Sequence, residues 1–201
     1  MSSVQTRRTK AAVVSEFRQT QILHAARACF AKHGLAAVTM DQIAKRARVA
    51  KGTIYLHYRS KEAILRDAIR NGITDLQQAT VPIISEPGSL EQAVQRFFEA
   101  TLTFFNDARD FYFLLNAELE PRLREEIRHE IRAVYAKQTD AWRTRLSGSQ
   151  LRGGLAADDA ARMIVSFAFG LSGQRLRGWT DQTAVDDAAA ATALVLKGLG
   201  S

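Results

Sequence analysis

Apolar residues recur at helical spacing through most of the chain, and the breaks in this spacing separate one helix from the next. The first apolar stripe consists of Ile22, Ala26, Cys29 and Phe30. It predicts an amphipathic helix that begins with Ser15 as its N-cap and ends near residue 33, where Gly34 supplies a left-handed stop. Strand signals are weak and good helix formers dominate, so we expect an all-α protein.

Two short helices follow, joined by a turn of three residues. Thr39 begins a capping box that starts a helix over about residues 40–47, and a further helix covers about 51–58. Helices joined by so short a turn form a helix-turn-helix, whose last helix lies in the major groove of DNA. Ile54 and Tyr58 are four residues apart and are expected to face the core of their own domain. The positions left to meet a duplex are Lys51, Gly52, Thr53, Tyr55, Leu56 and His57.

Positive charge is concentrated in the same part of the chain. Residues 1–62 hold 12 Lys and Arg against 3 Asp and Glu, a net charge of +9, whereas residues 63–201 hold 16 against 18, a net charge of −2. The two values sum to the total of +7. This division predicts a head that binds a polyanion, joined to a nearly neutral body, although a solvated basic surface is the alternative interpretation. Residues 1–14 are basic and lack periodicity, which predicts a disordered arm.

Residues 16–66 resemble the TetR family of bacterial transcription regulators. The matching positions are Ile22, Leu23, Ala25, Ala26, Phe30, Gly34, Val38, Thr39, Ile43, Ala44, Ala47, Val49, residues 51–55, His57, Tyr58, Ser60, Lys61, Glu62 and Leu65. One departure lies in the turn, where Arg48 stands at a position that is Gly in many members. Either the turn differs, or Arg48 accepts backbone strain of about 1 kcal/mol.

The resemblance implies a division of labour along the chain. Residues 15–66 are then the DNA-binding domain, and residues 67–201 form a helical domain for effector binding and dimerisation. A homodimer would bind a roughly palindromic double-stranded operator, as a repressor that an apolar or amphipathic small molecule releases. The outward positions and the resemblance together place Thr39 and Lys61 at DNA phosphates.

The body is expected to be helical throughout. The predicted helices cover about residues 61–79, 90–106, 110–118, 121–146, 158–176 and 183–199. Pro82 and Pro87 are expected to mark a loop, and Gly72 is interpreted as a tolerated surface residue or, alternatively, a hinge.

Aromatic residues crowd the middle of the chain. Rings at helical spacing are usually core residues, but so many in a small body can also line an apolar cavity, and the TetR family binds its effectors in such a cavity. The candidate pocket residues are Phe98, Phe105, Phe111, Phe113, Trp142 and Phe167.

By resemblance, the last two helices pair with their copies in a dimer, although internal packing is the alternative. The candidate interface residues are Ile164, Ala168, Leu171, Ala193 and Leu194.

The sequence gives little support for an enzyme. It contains no P-loop or nucleophile-elbow motif, and its E-x-x-H at Glu126 and His129 lacks the companions of a metal site, so no catalytic residue, cofactor or metal is expected. The second hypothesis is a helical small-molecule-binding protein or enzyme without DNA binding. A single cysteine, the absence of a secretion signal and the absence of a membrane-spanning run predict a cytoplasmic protein without membrane contact.

Overall fold

The computed structural model describes residues 10–115, 119, 121–149 and 151–199. Its helices are α1 (Lys10–Ala37), α2 (Met40–Ala47), α3 (Lys51–His57), α4 (Lys61–Ser85), α5 (Leu90–Asp107), α6 (Arg109–Leu115), α7 (Pro121–Leu146), α8 (Ala157–Leu176) and α9 (Ala184–Leu199), with a short 3-10 turn at Arg152–Gly154. These residues contain no strand, so the all-α prediction is confirmed.

The chain divides into two compact units, and the division falls within α4. The first unit takes its described residues from 1–71 and 113–118, and the second takes them from 72–112 and 119–201. The boundary predicted from the sequence, between residues 66 and 67, lies in the same helix.

The first unit is built on the apolar stripe of α1. Its buried side chains include Ile22, Ala26, Phe30, Ile43, Ile54, Tyr58, Leu65 and Ile69. Gly34 has φ 74 and ψ 161, a positive-φ extended conformation that glycine adopts readily, and it breaks the helical backbone near the end of α1. The start of α1 differs from the prediction. The helix is already present at Lys10, so Ser15 lies inside it rather than at its N-cap, and residues 1–9 of the predicted arm lie outside the described residues.

The second unit has a core of side chains from α4, α5, α7, α8 and α9. Its members include Ile84, Val94, Phe97, Phe98, Leu102, Trp142, Leu146, Ala161, Ile164, Val165, Ala168 and Ala188. Ser89 starts α5 with a capping box, in which its hydroxyl accepts from the Gln92 amide at 3.1 Å and the Gln92 side chain accepts from the Ser89 amide at 3.2 Å.

Two expectations for α4 are wrong. The helix does not stop before Pro82 but continues to Ser85 with the proline inside it. Gly72 is not a surface residue, because it is buried and its backbone lies against the ring of Phe111. A Cβ at Gly72 would be 2.5 Å from two carbons of that ring, so the missing side chain allows the close approach of α6.

The end of α4 is held by one arginine of α7. The guanidinium of Arg145 donates to the carbonyls of Ile84 and Glu86 through Nη1, at 2.8 and 2.7 Å. It also donates to the carbonyls of Gly88 and Ser89 through Nη2, at 2.7 and 3.2 Å. The bond to Ile84 gives a partner to a carbonyl in the last turn of α4, where helical partners are missing. The other three bonds hold the connection between α4 and α5.

Candidate functional site

The first part of the candidate site is the pair of helices α2 and α3 with the turn between them. Thr39 caps α2, since its hydroxyl accepts from the Gln42 amide at 3.3 Å while the Gln42 side chain accepts from the Thr39 amide at 2.8 Å. Arg48 ends α2 in the left-handed region, with φ 55 and ψ 39, and its amide donates to the carbonyls of Ala44 and Lys45. Arg48 therefore adopts the conformation that glycine adopts most easily, with the strain that an L side chain brings there.

The inner face of α3 fixes its orientation. Ile54 is fully buried, and Tyr58 is buried just beyond the end of the helix. The Tyr58 hydroxyl accepts a hydrogen bond from Gln19 Nε2 at 3.1 Å, which ties this end of α3 to α1. Burial raises the pKa of Tyr58, so the phenol stays neutral.

The opposite face of α3 is open to solvent. Leu56 is 85% exposed and Tyr55 is 48% exposed, and both are unusually accessible for large apolar side chains. Lys51 and Gly52 are also exposed, whereas Thr53 and His57 are half-buried. The structure thus brings the residues expected to meet DNA onto one helix beside Thr39, and their contact with DNA stays a prediction.

Lys51 is not a free charge at the start of α3. Its ammonium donates to Asp41 Oδ2 at 2.7 Å, which joins the first turns of α2 and α3. The hydrogen bond and the negative charge of Asp41 raise the pKa of Lys51. A DNA phosphate at this position would have to share the ammonium with Asp41.

Lys61 has a different environment from the one predicted. Its ammonium donates to the carbonyls of Leu35, Ala36 and Val38, at 2.7, 3.0 and 3.1 Å. An ammonium has three N–H donors, so these three carbonyls occupy all of them. Lys61 therefore stabilises the end of α1, and its ammonium has no donor left for a DNA phosphate in this conformation.

Sequence reasoning missed a basic cleft beside α3. Its lining residues are Lys10, Val14, Ser15, Arg18, Leu56 and His57, and its volume is about 730 Å³. Lys10, Val14 and Arg18 are spaced by four residues, so they share one face of α1, and this spacing was the signal available in the sequence. The prediction of a disordered arm over residues 1–14 hides this spacing, because it leaves Lys10 and Val14 outside the helix.

The predicted effector pocket is largely filled by its own rings. Phe98, Phe105, Phe111 and Trp142 are at most 1% exposed. Phe105 stacks on Phe111 with ring centroids 6.4 Å apart, and Phe98 meets Phe167 edge to face at 5.9 Å. Phe113 is 41% exposed and belongs to the other compact unit. The six residues therefore do not form one described cavity.

An open apolar groove runs between α8 and α9 within the second unit. It has a volume of about 560 Å³ and is lined by Leu155, Ala160, Met163, Ile164, Ser166, Phe167, Leu194, Val195 and Gly198. Met163 is 57% exposed and Leu194 is 62% exposed. Ala168 is a correction to the predicted interface, because it is fully buried in the core of its own unit. Ile164 is also nearly buried there, whereas Leu171 is half-buried and Ala193 is exposed.

Metal sites and membrane spans are absent from the part of the chain that the structure describes. The described residues contain no group of three His, Cys, Asp or Glu side chains placed to hold a metal ion. The described helices also include none that is long and apolar enough to cross a membrane.

Residues 22–68 match the family model described as "Bacterial regulatory proteins, tetR family". The chain is 32% identical over 93 residues to the uncharacterized HTH-type transcriptional regulator YerO of Bacillus subtilis (strain 168), a stretch that covers 44% of this chain and 32% of YerO. It is 31% identical over 87 residues to the HTH-type transcriptional repressor KstR2 of Rhodococcus jostii, covering 41% of this chain and 43% of KstR2. The chain thus spans less than half the length of the curated relatives that it matches.

A solved structure extends the similarity to the whole fold. The transcriptional regulator FadR from Bacillus subtilis, solved in complex with stearoyl-CoA, matches with a TM-score of 0.73 over 90% of this chain and 98% of that one. The identity is 19%, so the likeness concerns the fold: a helix-turn-helix domain followed by a helical domain.

Proposed function

The chain belongs to the TetR family of bacterial transcriptional regulators, and on this premise we propose that it is a homodimeric repressor that a small molecule releases from its DNA operator. The observation that best supports this proposal is the outer face of α3, where Leu56 and Tyr55 are exposed, whereas Ile54 on the inner face is buried in the core of the domain. Such a face in a basic domain has the placement of a recognition helix in the major groove. Repression is part of this proposal and does not follow from the relatives, because KstR2 is a repressor by name and another relative at 35% identity is an activator by name.

The basic cleft extends the proposed DNA surface beyond α3. Lys10 and Arg18 flank the apolar side chains of Val14 and Leu56 there. Cations at the edge of a recognition helix fit the phosphates beside the groove, whereas an apolar side chain such as Leu56 fits a thymine methyl. We therefore assign Lys10 and Arg18 to the phosphate backbone and Leu56 to the bases.

The test of DNA binding is fluorescence anisotropy on duplexes from the DNA upstream of the gene, over a range of salt concentrations. We expect specific binding that weakens steeply with salt, and Arg18→Ala should reduce the slope of log K against log salt by about 1. Arg122→Ala is the matched control, because Arg122 is a 93% exposed arginine of α7 in the other unit. The absence of salt-dependent binding by the wild type would favour the second hypothesis, a helical small-molecule-binding protein or enzyme without DNA binding.

The proposed dimer uses the open groove between α8 and α9. An exposed apolar groove with Met163 and Leu194 at its surface suits a second copy of the same helices. Leu194→Arg should give a folded monomer, as measured by sedimentation. Its binding to the operator, as measured by fluorescence anisotropy, should be weaker than that of the wild type. Val185→Arg is the matched control: Val185 is 60% exposed, and nine residues along α9 place it on the opposite face. Equal dimer stability in the two variants would refute this interface.

A further inference from the structure

Two unpaired polar atoms lie inside the apolar core of the second unit. Gln138 Oε1 and Trp142 Nε1 are both closed off from solvent and neither has a hydrogen-bond partner. Their residues are completely buried and stand four positions apart on α7, so their side chains share one face of that helix. Most buried polar groups in native proteins are paired, so an unpaired acceptor and an unpaired donor on one face of a helix indicate a missing partner.

The orientation of the Gln138 amide is fixed by its neighbour on α4. The Thr80 hydroxyl donates its one proton to the carbonyl of Leu76 at 2.7 Å, so it can only accept from Gln138. The group that faces Thr80 at 2.7 Å is accordingly Gln138 Nε2. The Oε1 atom must point away from Thr80 as an unused acceptor, and no amide flip removes it.

The surroundings of the two atoms are aromatic. Trp142 meets Phe97 edge to face, with ring centroids 5.4 Å apart, and Phe97 lies 6.1 Å from Phe98. Both phenylalanines are fully buried. A ligand that reached Gln138 and Trp142 would therefore place an apolar body among rings and a single polar group between one acceptor and one donor.

From this arrangement we infer that the helical body recognises an uncharged ligand through a hydroxyl group, an alcohol or a phenol, held between Gln138 Oε1 and Trp142 Nε1. A hydroxyl donates one proton and accepts in return, so it satisfies both atoms at once. A carboxylate accepts from Trp142 but offers no proton to Gln138, and its charge would be desolvated among the rings. A hydrocarbon leaves both atoms unpaired.

This inference rests on the proposed function only in naming the effector's chemistry, and its geometry concerns the second unit alone. Because both atoms are enclosed, a ligand reaches them by displacing packed side chains. Ligand binding must then change the packing between α4, α5 and α7. Such a change is a requirement for any effector that shifts a conformational equilibrium.

The test uses tryptophan emission and three matched probes: 4-hexylphenol, hexylbenzene and 4-hexylbenzoate. The chain has 2 tryptophans, and Trp179 is 70% exposed, so Trp179→Phe leaves Trp142 as the single reporter. We expect 4-hexylphenol to bind more tightly than 4-hexylbenzoate and to shift the Trp142 emission to the red, since its oxygen accepts from the indole N–H. Hexylbenzene should bind without the red shift.

A second variant measures the share of Gln138. Gln138→Met keeps the length of the side chain and removes the acceptor, so the affinity ratio of 4-hexylphenol to hexylbenzene should fall about tenfold, which corresponds to ~1.4 kcal/mol. Gln174→Met makes the same change at an exposed position of α8 and should leave the ratio unaltered. If Gln138→Met does not fold, the probe series on Trp179→Phe decides.

The inference is overturned if 4-hexylphenol fails to bind at its solubility limit. It is equally overturned if all three probes bind alike, or if a folded Gln138→Met keeps the ratio. None of these measurements contains DNA, so their failure leaves the proposed DNA binding untouched. A protein that binds the phenol as expected yet never binds DNA would refute the proposed function alone.

Discussion

The left-handed conformation of Arg48 leads to a stability prediction with a defined sign. Arg48 has φ 55 and ψ 39 at the end of α2, and a side chain in this region costs about 1–2 kcal/mol relative to a right-handed helical residue. Replacement by glycine removes that strain but adds about 0.5–1 kcal/mol of chain entropy to the unfolded state. Arg48→Gly should therefore raise the free energy of unfolding, by about 0.75 kcal/mol at the midpoints of these two ranges.

Urea unfolding followed by circular dichroism, without DNA, measures this difference. Arg48→Ala is the control, because it removes the charge and keeps the strained backbone, and its stability should stay near that of the wild type. Arg48→Asn should fall between alanine and glycine, since asparagine tolerates the left-handed region. If Arg48→Ala gained as much stability as Arg48→Gly, relief of charge repulsion and not of backbone strain would be the cause, and the argument would fail.

Three further predictions concern buried or half-buried groups. Gly72→Ala should lower the free energy of unfolding by about 1–2 kcal/mol, because its Cβ would lie 2.5 Å from the ring of Phe111. Gly52→Ala is the control in the same thermal melts and should be neutral or stabilising, because a Cβ there has nothing within 4 Å. Equal effects of the two substitutions would contradict the packing argument. Lys61→Ala should destabilise the protein by about 1–2 kcal/mol, because it loses the three bonds to the end of α1. It should leave the salt slope of DNA binding unchanged, and a slope reduced by about 1 would instead support the predicted contact between Lys61 and a phosphate. Cys29 should react slowly with a thiol reagent until urea unfolds the chain, because burial raises the pKa of its thiol, and rapid labelling of the native protein would show that this part of the core opens.

The helix-turn-helix was predictable because its signals are local. The Thr39 capping box, the Gly34 stop and the spacing of Ile54 from Tyr58 each act within a few residues, and the structure contains all three. The left-handed Arg48 was one of two alternatives that the sequence left open. The geometry of the turn decided between them.

The carbonyl environment of Lys61 could not be predicted because its partners are distant in sequence. Its three carbonyl acceptors lie 23 to 26 residues earlier, and no local sequence pattern predicts contacts over that separation. Pro82 was misjudged for a similar reason. A proline is a poor interior residue for an isolated helix, but Arg145 of α7 stabilises the end of α4 from outside.

In residues 67–201, the apolar pattern of the sequence does not distinguish core residues from residues that line an opening. A ring at helical spacing looks the same in sequence whether it fills a core, as Phe105 and Phe111 do, or lines an opening, as Phe167 does. The faces of α8 raise the same difficulty. Ala168 and Met163 are both apolar, yet one is buried in its own unit and the other is exposed at the groove.

The four bonds of Arg145 also bear on the order in which the body folds. They join α7 to the connection between α4 and α5 across 56 to 61 residues of sequence. Contacts of such long separation form late, because the intervening chain must first be brought together. The connection at residues 84–89 should therefore acquire its fixed path only when α7 docks. Pulse-labelling hydrogen exchange during refolding should find the amides of this segment protected no earlier than those in the middle of α7.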